Sequence, residues 1–138
     1  MNKYTKYLTL KHSWSGINCL TLIELIYKEQ LNKSFFKVWQ RAEREDGTTN
    51  VARKWFKEYT TQIINEIKNW NKISLPEITE YDIIVFRSKR GIINHFGMYI
   101  GNNQFIHIMD GCYATISELN DEWREQIYSV CRYKNEMV

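Results

Sequence analysis

Residues 94 to 107 read NHFGMYIGNNQFIH: two short runs rich in β-branched and aromatic residues, joined through Gly101, Asn102 and Asn103. The stretch predicts an antiparallel hairpin that carries one histidine on each strand, His95 and His107. Loop length decides how they relate. A two-residue turn at Asn102-Asn103 would pair Gly101 with Gln104 and set the imidazoles on opposite faces. A three-residue loop, 101 to 103, pairs Ile100 with Gln104 and Gly97 with His107, so that His95 and His107 share a face as diagonal neighbours. In that register Gly97 leaves space above the backbone, and Asn103 tolerates the left-handed conformation such loops need.

The same period extends on both sides. YDIIVFR (81 to 87), QFIHIM (104 to 109) and IYSVCRY (127 to 133) complete a set of four antiparallel strands, with a short helix over 117 to 126 capped by Ser117. Before Pro76 the pattern is helical. Residues 20 to 27 are apolar except at Thr21 and Glu24, which describes a helix buried on more than one face. Asn18 can cap it with Cys19 as its first residue, and Thr21 with Glu24 also fits a capping box three residues later. Ser34, Phe35, Val38, Trp39 and Ala42 outline a second helix ended at Asp46-Gly47. Val51, Trp55, Tyr59, Ile63, Ile67 and Trp70 form the stripe of a third. Helices first and sheet second is an α+β arrangement, and 138 residues suit one domain.

Cys19 stands where polar residues give way to the apolar run. A buried cysteine is more often a small hydrophobe than a nucleophile. At a helix start, however, unpaired N–H groups and the dipole favour the thiolate. Those effects, about 0.3–2 kcal/mol, only begin to activate a thiol, and an imidazole must supply the rest. His95 suits the base and His107 the group that orients it, with N–H groups at the helix start, including that of Cys19, for an oxyanion. Trp14, just before the nucleophile, is placed to line a substrate groove, although a buried core position is the commoner role for a tryptophan. His12 takes the ordinary reading of a satisfied histidine. Cys19, His95, His107, Cys112 and Cys131 are all possible zinc ligands, but no close pair such as CxxC joins them. Cys131 reads as core.

Composition excludes several functions. A charge of +3 with scattered lysines argues against a nucleic-acid binder, and no paired CxxC or RNA-binding aromatic motif is present. No apolar run reaches membrane-spanning length, and nothing near Met1 resembles a signal peptide, so a soluble, unprocessed chain is expected. Three widely spaced cysteines suit a reduced compartment.

In order and approximate spacing, NCLTLIELIYKEQL, YDIIVFR, NHFGMYIGNNQFIHIMDG and the last strand resemble the NlpC-type cell-wall cysteine peptidases, a papain-like family. The match is most specific in HFGMYIGNNQFIH. The resemblance implies a central N-terminal helix packed on an antiparallel sheet of four to five strands, in a single domain over 1–138 with a helical insertion at about 34–75. It implies Cys19 as nucleophile, His95 as base and His107 as third residue, hydrolysing amide bonds of peptidoglycan stem peptides without metal or cofactor. A branch of the family occurs in bacteriophage tails. That branch implies synthesis in the host cytoplasm, a place in the virion tail, and tail or baseplate partners for the insertion. The alternative is a tail structural component that keeps the fold without the activity. The chain departs from the family's pattern at Asn18, where Asp is usual, at Leu20 and Thr21, where Trp-Gly often follows, and at Tyr81-Asp82, which stands for Gly-Asp.

Overall fold

The computed structural model describes residues 2–13, 16–33, 61, 64, 67 and 70–133. Helix α1 runs Cys19–Leu31, with Asn18 as its cap. The Asn18 side-chain oxygen accepts from the N–H groups of Leu20 at 3.0 Å and Thr21 at 3.1 Å, and the Asn18 N–H donates to Thr21 Oγ1 at 2.8 Å. The capping box therefore begins at Asn18 and uses Thr21 as its partner. Asn32, at φ 53°, ends the helix in the left-handed conformation that asparagine tolerates. Leu20, Leu22, Ile23, Ile26 and Tyr27 are all fully buried, so α1 is enclosed rather than seated on one stripe. Each such side chain contributes about 1.5–3 kcal/mol on burial and a cap about 1. Packing holds the helix in place; the cap determines which residue begins it.

Six antiparallel strands form one sheet in the order β1-β6-β2-β3-β4-β5. They are β1 Asn71–Lys72, β2 Ile83–Arg87, β3 Ile93–Gly101, β4 Gln104–His107, β5 Thr115–Glu118 and β6 Ile127–Arg132. The four strands predicted from sequence are β2, β3, β4 and β6, and two short edge strands extend the sheet. Side-chain alternation divides it into two faces. Ile83, Val85, Phe96, Met98, Ile106 and Cys131 pack with α1, with the short 3-10 helix Thr5–Thr9 through Tyr7, and with Ile67 and Trp70. Ile84, Phe86, Phe105 and Leu119 form the core of the opposite face, with Trp123 against it. Cys131 is core, as its setting in a strand suggested.

Ser117 does not cap a helix. It lies within β5, opposite Phe105, and helix α2, Asp121–Glu125, starts later, at Asn120, whose side chain accepts from the Trp123 N–H at 3.1 Å. The run from Thr115 to Glu118 can pair with β4 along its whole length, and that pairing outweighs a serine's capping preference. Tyr81, ahead of β2, sits at φ 78°, a costly conformation for a tyrosine. It is held there because its carbonyl accepts from the Tyr27 hydroxyl of α1 and its N–H donates to the Tyr99 carbonyl at 2.9 Å. Next to it, buried Asp82 takes a two-pronged hydrogen bond from Arg132, at 2.9 and 3.0 Å, which joins the start of β2 to the end of β6. Of the expected helical insertion, 34–60 lies outside the described residues. Thr61, Ile64 and Ile67 are helical, and Ile67 and Trp70 are buried.

Candidate active site

The hairpin turn has two residues, not the three expected for a register in which the histidines share a face. Asn102 and Asn103 both have positive φ, 52° and 60°, and Gly101 pairs with Gln104. Beyond the turn the register shifts between Tyr99 and Gly101, leaving Ile100 as an extra residue, so that Tyr99 faces Phe105 and Met98 faces Ile106. Continuing the ladder brings Gly97 opposite His107. The bulge restores the parity that the short turn would have lost, and His95 and His107 share a face.

The two histidines are joined directly: His95 Nε2 lies 2.8 Å from His107 Nδ1. His107 Nε2 lies 2.8 Å from Ser117 Oγ on β5. Three strands thus contribute one chain of polar atoms. Around it is an aromatic enclosure that no local sequence pattern indicated. Phe86 stacks on His95 with ring centres 5.6 Å apart, Phe105 lies 4.5 Å from His107, and Trp123 of α2 stands 5.0 Å from His107 and 6.1 Å from His95. A Cβ on Gly97 would fall 2.8 Å from Phe105 and 3.3 Å from Phe86, so the space this glycine leaves is occupied by the two phenylalanine rings rather than by an imidazole.

Cys19 belongs to the core on the other face of the sheet, and its sulfur lies at the edge of β3 beyond the end of the β3–β4 ladder. The β3–β4 ladder begins at Met98, and Phe96, two residues back on the same edge of β3, lies beyond it. The Phe96 N–H instead lies against the Cys19 sulfur, together with the N–H groups of Cys19 and Leu20. The first residue of α1 therefore meets β3 immediately beside His95. Of those helix-start donors, the Leu20 N–H is also committed to Asn18.

Burial dominates the electrostatics. Cys19 is 5% exposed, and desolvation pushes its thiol up to about 12 despite the N–H groups of Phe96, Cys19 and Leu20. The N–H groups at the helix start do favour the thiolate, as expected, but three backbone donors do not replace the lost water. His95 keeps an edge in solvent, but its ring is closely packed, and desolvation followed by the charges of His107 and His12 lowers it to about 3. Burial alone takes His107 down to about 4. All three groups are uncharged at neutral pH.

His12 is more than a satisfied bystander. Its side chain is 5% exposed, its Nδ1 lies 3.6 Å from Asp110, and its charge bears on His95. Trp14 lies outside the described residues. Cys112 is exposed, and among the described residues no group of three or more His, Cys, Asp or Glu side chains is disposed to hold a metal ion. Nor, among those residues, is any helix long and apolar enough to cross a membrane.

Solved structures share this architecture. The chain aligns over 94% of its length with NlpC2 from Trichomonas vaginalis, at a TM-score of 0.58 and 22% identity, covering 43% of that chain. It aligns over 94% with the NlpC/p60 domain of the peptidoglycan hydrolase SagA, at a TM-score of 0.56 and 16% identity, covering 92% of that chain. In sequence, a probable endopeptidase NlpC homolog of Haemophilus influenzae is 39% identical over 61 residues, which take in 44% of this chain and 31% of that relative. The NlpC/P60 family profile matches residues 6–132, and with the sheet, the enclosed helix and the paired histidines described above, the chain belongs to the NlpC/P60 family.

Proposed function

We propose that the protein is a cysteine peptidase or amidase that cleaves amide bonds in peptidoglycan stem peptides, with Cys19 as nucleophile, His95 as base and His107 as the residue that orients it. The observation that carries this reading is the 2.8 Å hydrogen bond between His95 Nε2 and His107 Nδ1, beside the strand edge where the Cys19 sulfur rests. With Nε2 engaged, Nδ1 is the nitrogen left to take the thiol proton. Because thiol and imidazoles start neutral, proton transfer accompanies attack on the carbonyl rather than preceding it. The Cys19 N–H serves the oxyanion. His95 then protonates the leaving amine, and water, deprotonated by the same nitrogen, releases the acid from the thioester.

The family, and relatives named as an endopeptidase and a peptidoglycan hydrolase, support the choice of substrate. Incubation with purified bacterial sacculi tests it. Soluble peptides are expected from the native protein and none from Cys19→Ala or His95→Ala; equal release by all three, or none from the native protein under conditions where a relative is active, rejects the assignment. The bacteriophage-tail setting belongs to the same proposal and rests on the resemblance of the sequence. One observation favours a second reading, a tail structural component that keeps the fold without the chemistry: the depth at which the Cys19 thiol is buried. Sacculi left intact by a protein that still sediments with tail particles would select it.

A further inference from the structure

His107 can orient His95 only if its own protons are in the right place, and the residue that sees its far nitrogen is Ser117. The two contacts repeat one geometry. His107 stands opposite Gly97, diagonal to His95, and Ser117 stands opposite Phe105, diagonal to His107, so each polar group reaches back across its ladder on the same face.

We infer that Ser117 is a positioning residue for the reaction proposed above, on which this inference rests: its hydroxyl accepts the Nε2 proton of His107 and so keeps His107 Nδ1 bare to accept from His95. The proton count requires this direction. When the thiol proton moves to His95 Nδ1, His95 carries N–H at both nitrogens, and its Nε2–H needs an acceptor. His107 Nδ1 is that acceptor only while the His107 proton is on Nε2, and in an aromatic enclosure that N–H in turn needs a partner. Ser117 Oγ, 2.8 Å away, supplies it. The count closes: the proton that His95 takes from the thiol goes to the leaving amine, and His95, His107 and Ser117 return to their starting state. Without the hydroxyl, His107 is free to carry its proton on Nδ1 and donate to His95, which places the His95 proton on Nδ1 and leaves no base facing the sulfur.

The tautomer can be read directly. Nitrogen-15 spectra of the full chain labelled at histidine should show His107 at pH 7 with a protonated Nε2 and an unprotonated Nδ1. In Ser117→Ala that pattern should give way to a mixture, with kcat on a stem peptide reduced about tenfold and KM unchanged. Ser117→Thr, which keeps the hydroxyl, should restore both. A native His107 protonated at Nδ1 overturns the inference, as does a Ser117→Ala protein with unchanged tautomer and turnover, or a threonine variant as impaired as the alanine one. Should Ser117→Ala fail to fold, the native spectrum and the threonine variant still decide. The spectra need no turnover. An inactive protein with the expected pattern, lost in Ser117→Ala, removes the peptidase reading and leaves Ser117 fixing the His107 tautomer, whereas an active protein with the opposite tautomer keeps the peptidase reading and removes that role.

Discussion

At Gly97 a single hydrogen atom decides whether two aromatic rings fit under two imidazoles. Phe105 and Phe86 are 0% and 1% exposed and have nowhere to go when a methyl group arrives 2.8 Å from one and 3.3 Å from the other. Gly97→Ala should therefore cost about 1–3 kcal/mol, the usual penalty for overpacking a filled core. It should also slow hydrolysis, because Phe105 is packed on His107. Urea unfolding measures the first effect, and a variant with native stability would show that the rings yield more easily than their burial implies. Cys19 gives a second prediction at this scale. Its thiol, pushed up to about 12, has no neutral-pH thiolate in the unliganded protein, so iodoacetamide should label the exposed Cys112 long before Cys19. Labelling of Cys19 should rise only in strongly alkaline solution. A plateau of rapid Cys19 labelling between about pH 5 and 8 would instead reveal a preformed thiolate–imidazolium pair, and the neutral starting state would be wrong.

Helix α1 and the hairpin place the site. Asn18→Ala removes the acceptor for two N–H groups in a cap that is 0% exposed and should destabilise by about 1–2 kcal/mol, seen as a lower unfolding midpoint. An unchanged midpoint would mean that packing alone fixes where the helix begins. That start was legible because a capping residue stands directly before an apolar run. Strands β2, β3, β4 and β6 were legible because β-branched and aromatic residues are bounded there by turn formers. β1 and β5 were not: two residues carry no period, and Thr115 to Glu118 becomes a strand only by pairing with β4. The shared face of His95 and His107 was expected through the wrong loop, since a pattern of period two cannot reveal a bulge that inserts Ile100 and changes the parity. Ser117 and Trp123 remained hidden for a similar reason. Their roles depend on strand order and on helix α2 folding back over β3 and β4, neither of which is a local property.

Over the whole molecule, the buried neutral groups set limits on the pH range of stability. His95 and His107 ordinarily titrate near 6.5 and are lowered to about 3 and about 4 in the fold, so between those values the unfolded chain binds more protons than the native one. Stability from this source is complete above 6.5 and is lost as pH falls through the native values. The slope is about 1.4 kcal/mol per pH unit for each histidine, or about 3 kcal/mol per unit while both are engaged. Summed from pH 6.5 down to 4 the loss is about 7 kcal/mol, a large share of the about 5–15 kcal/mol a domain has in hand, so the acid midpoint of unfolding is expected to lie higher than in a protein without the two buried imidazoles. Cys19 works in the opposite sense. Its pKa rises from 9.0 to about 12, so its contribution is full below 9 and lost as pH rises towards the native value. The result is a plateau of stability between about pH 6.5 and 9 with a steep acid side. Urea midpoints measured across pH should trace it, and replacing both histidines with glutamine should flatten the acid limb while leaving the alkaline one in place. An acid limb equally steep in the double variant would assign the loss to carboxylates elsewhere and remove the buried neutral imidazoles as its cause.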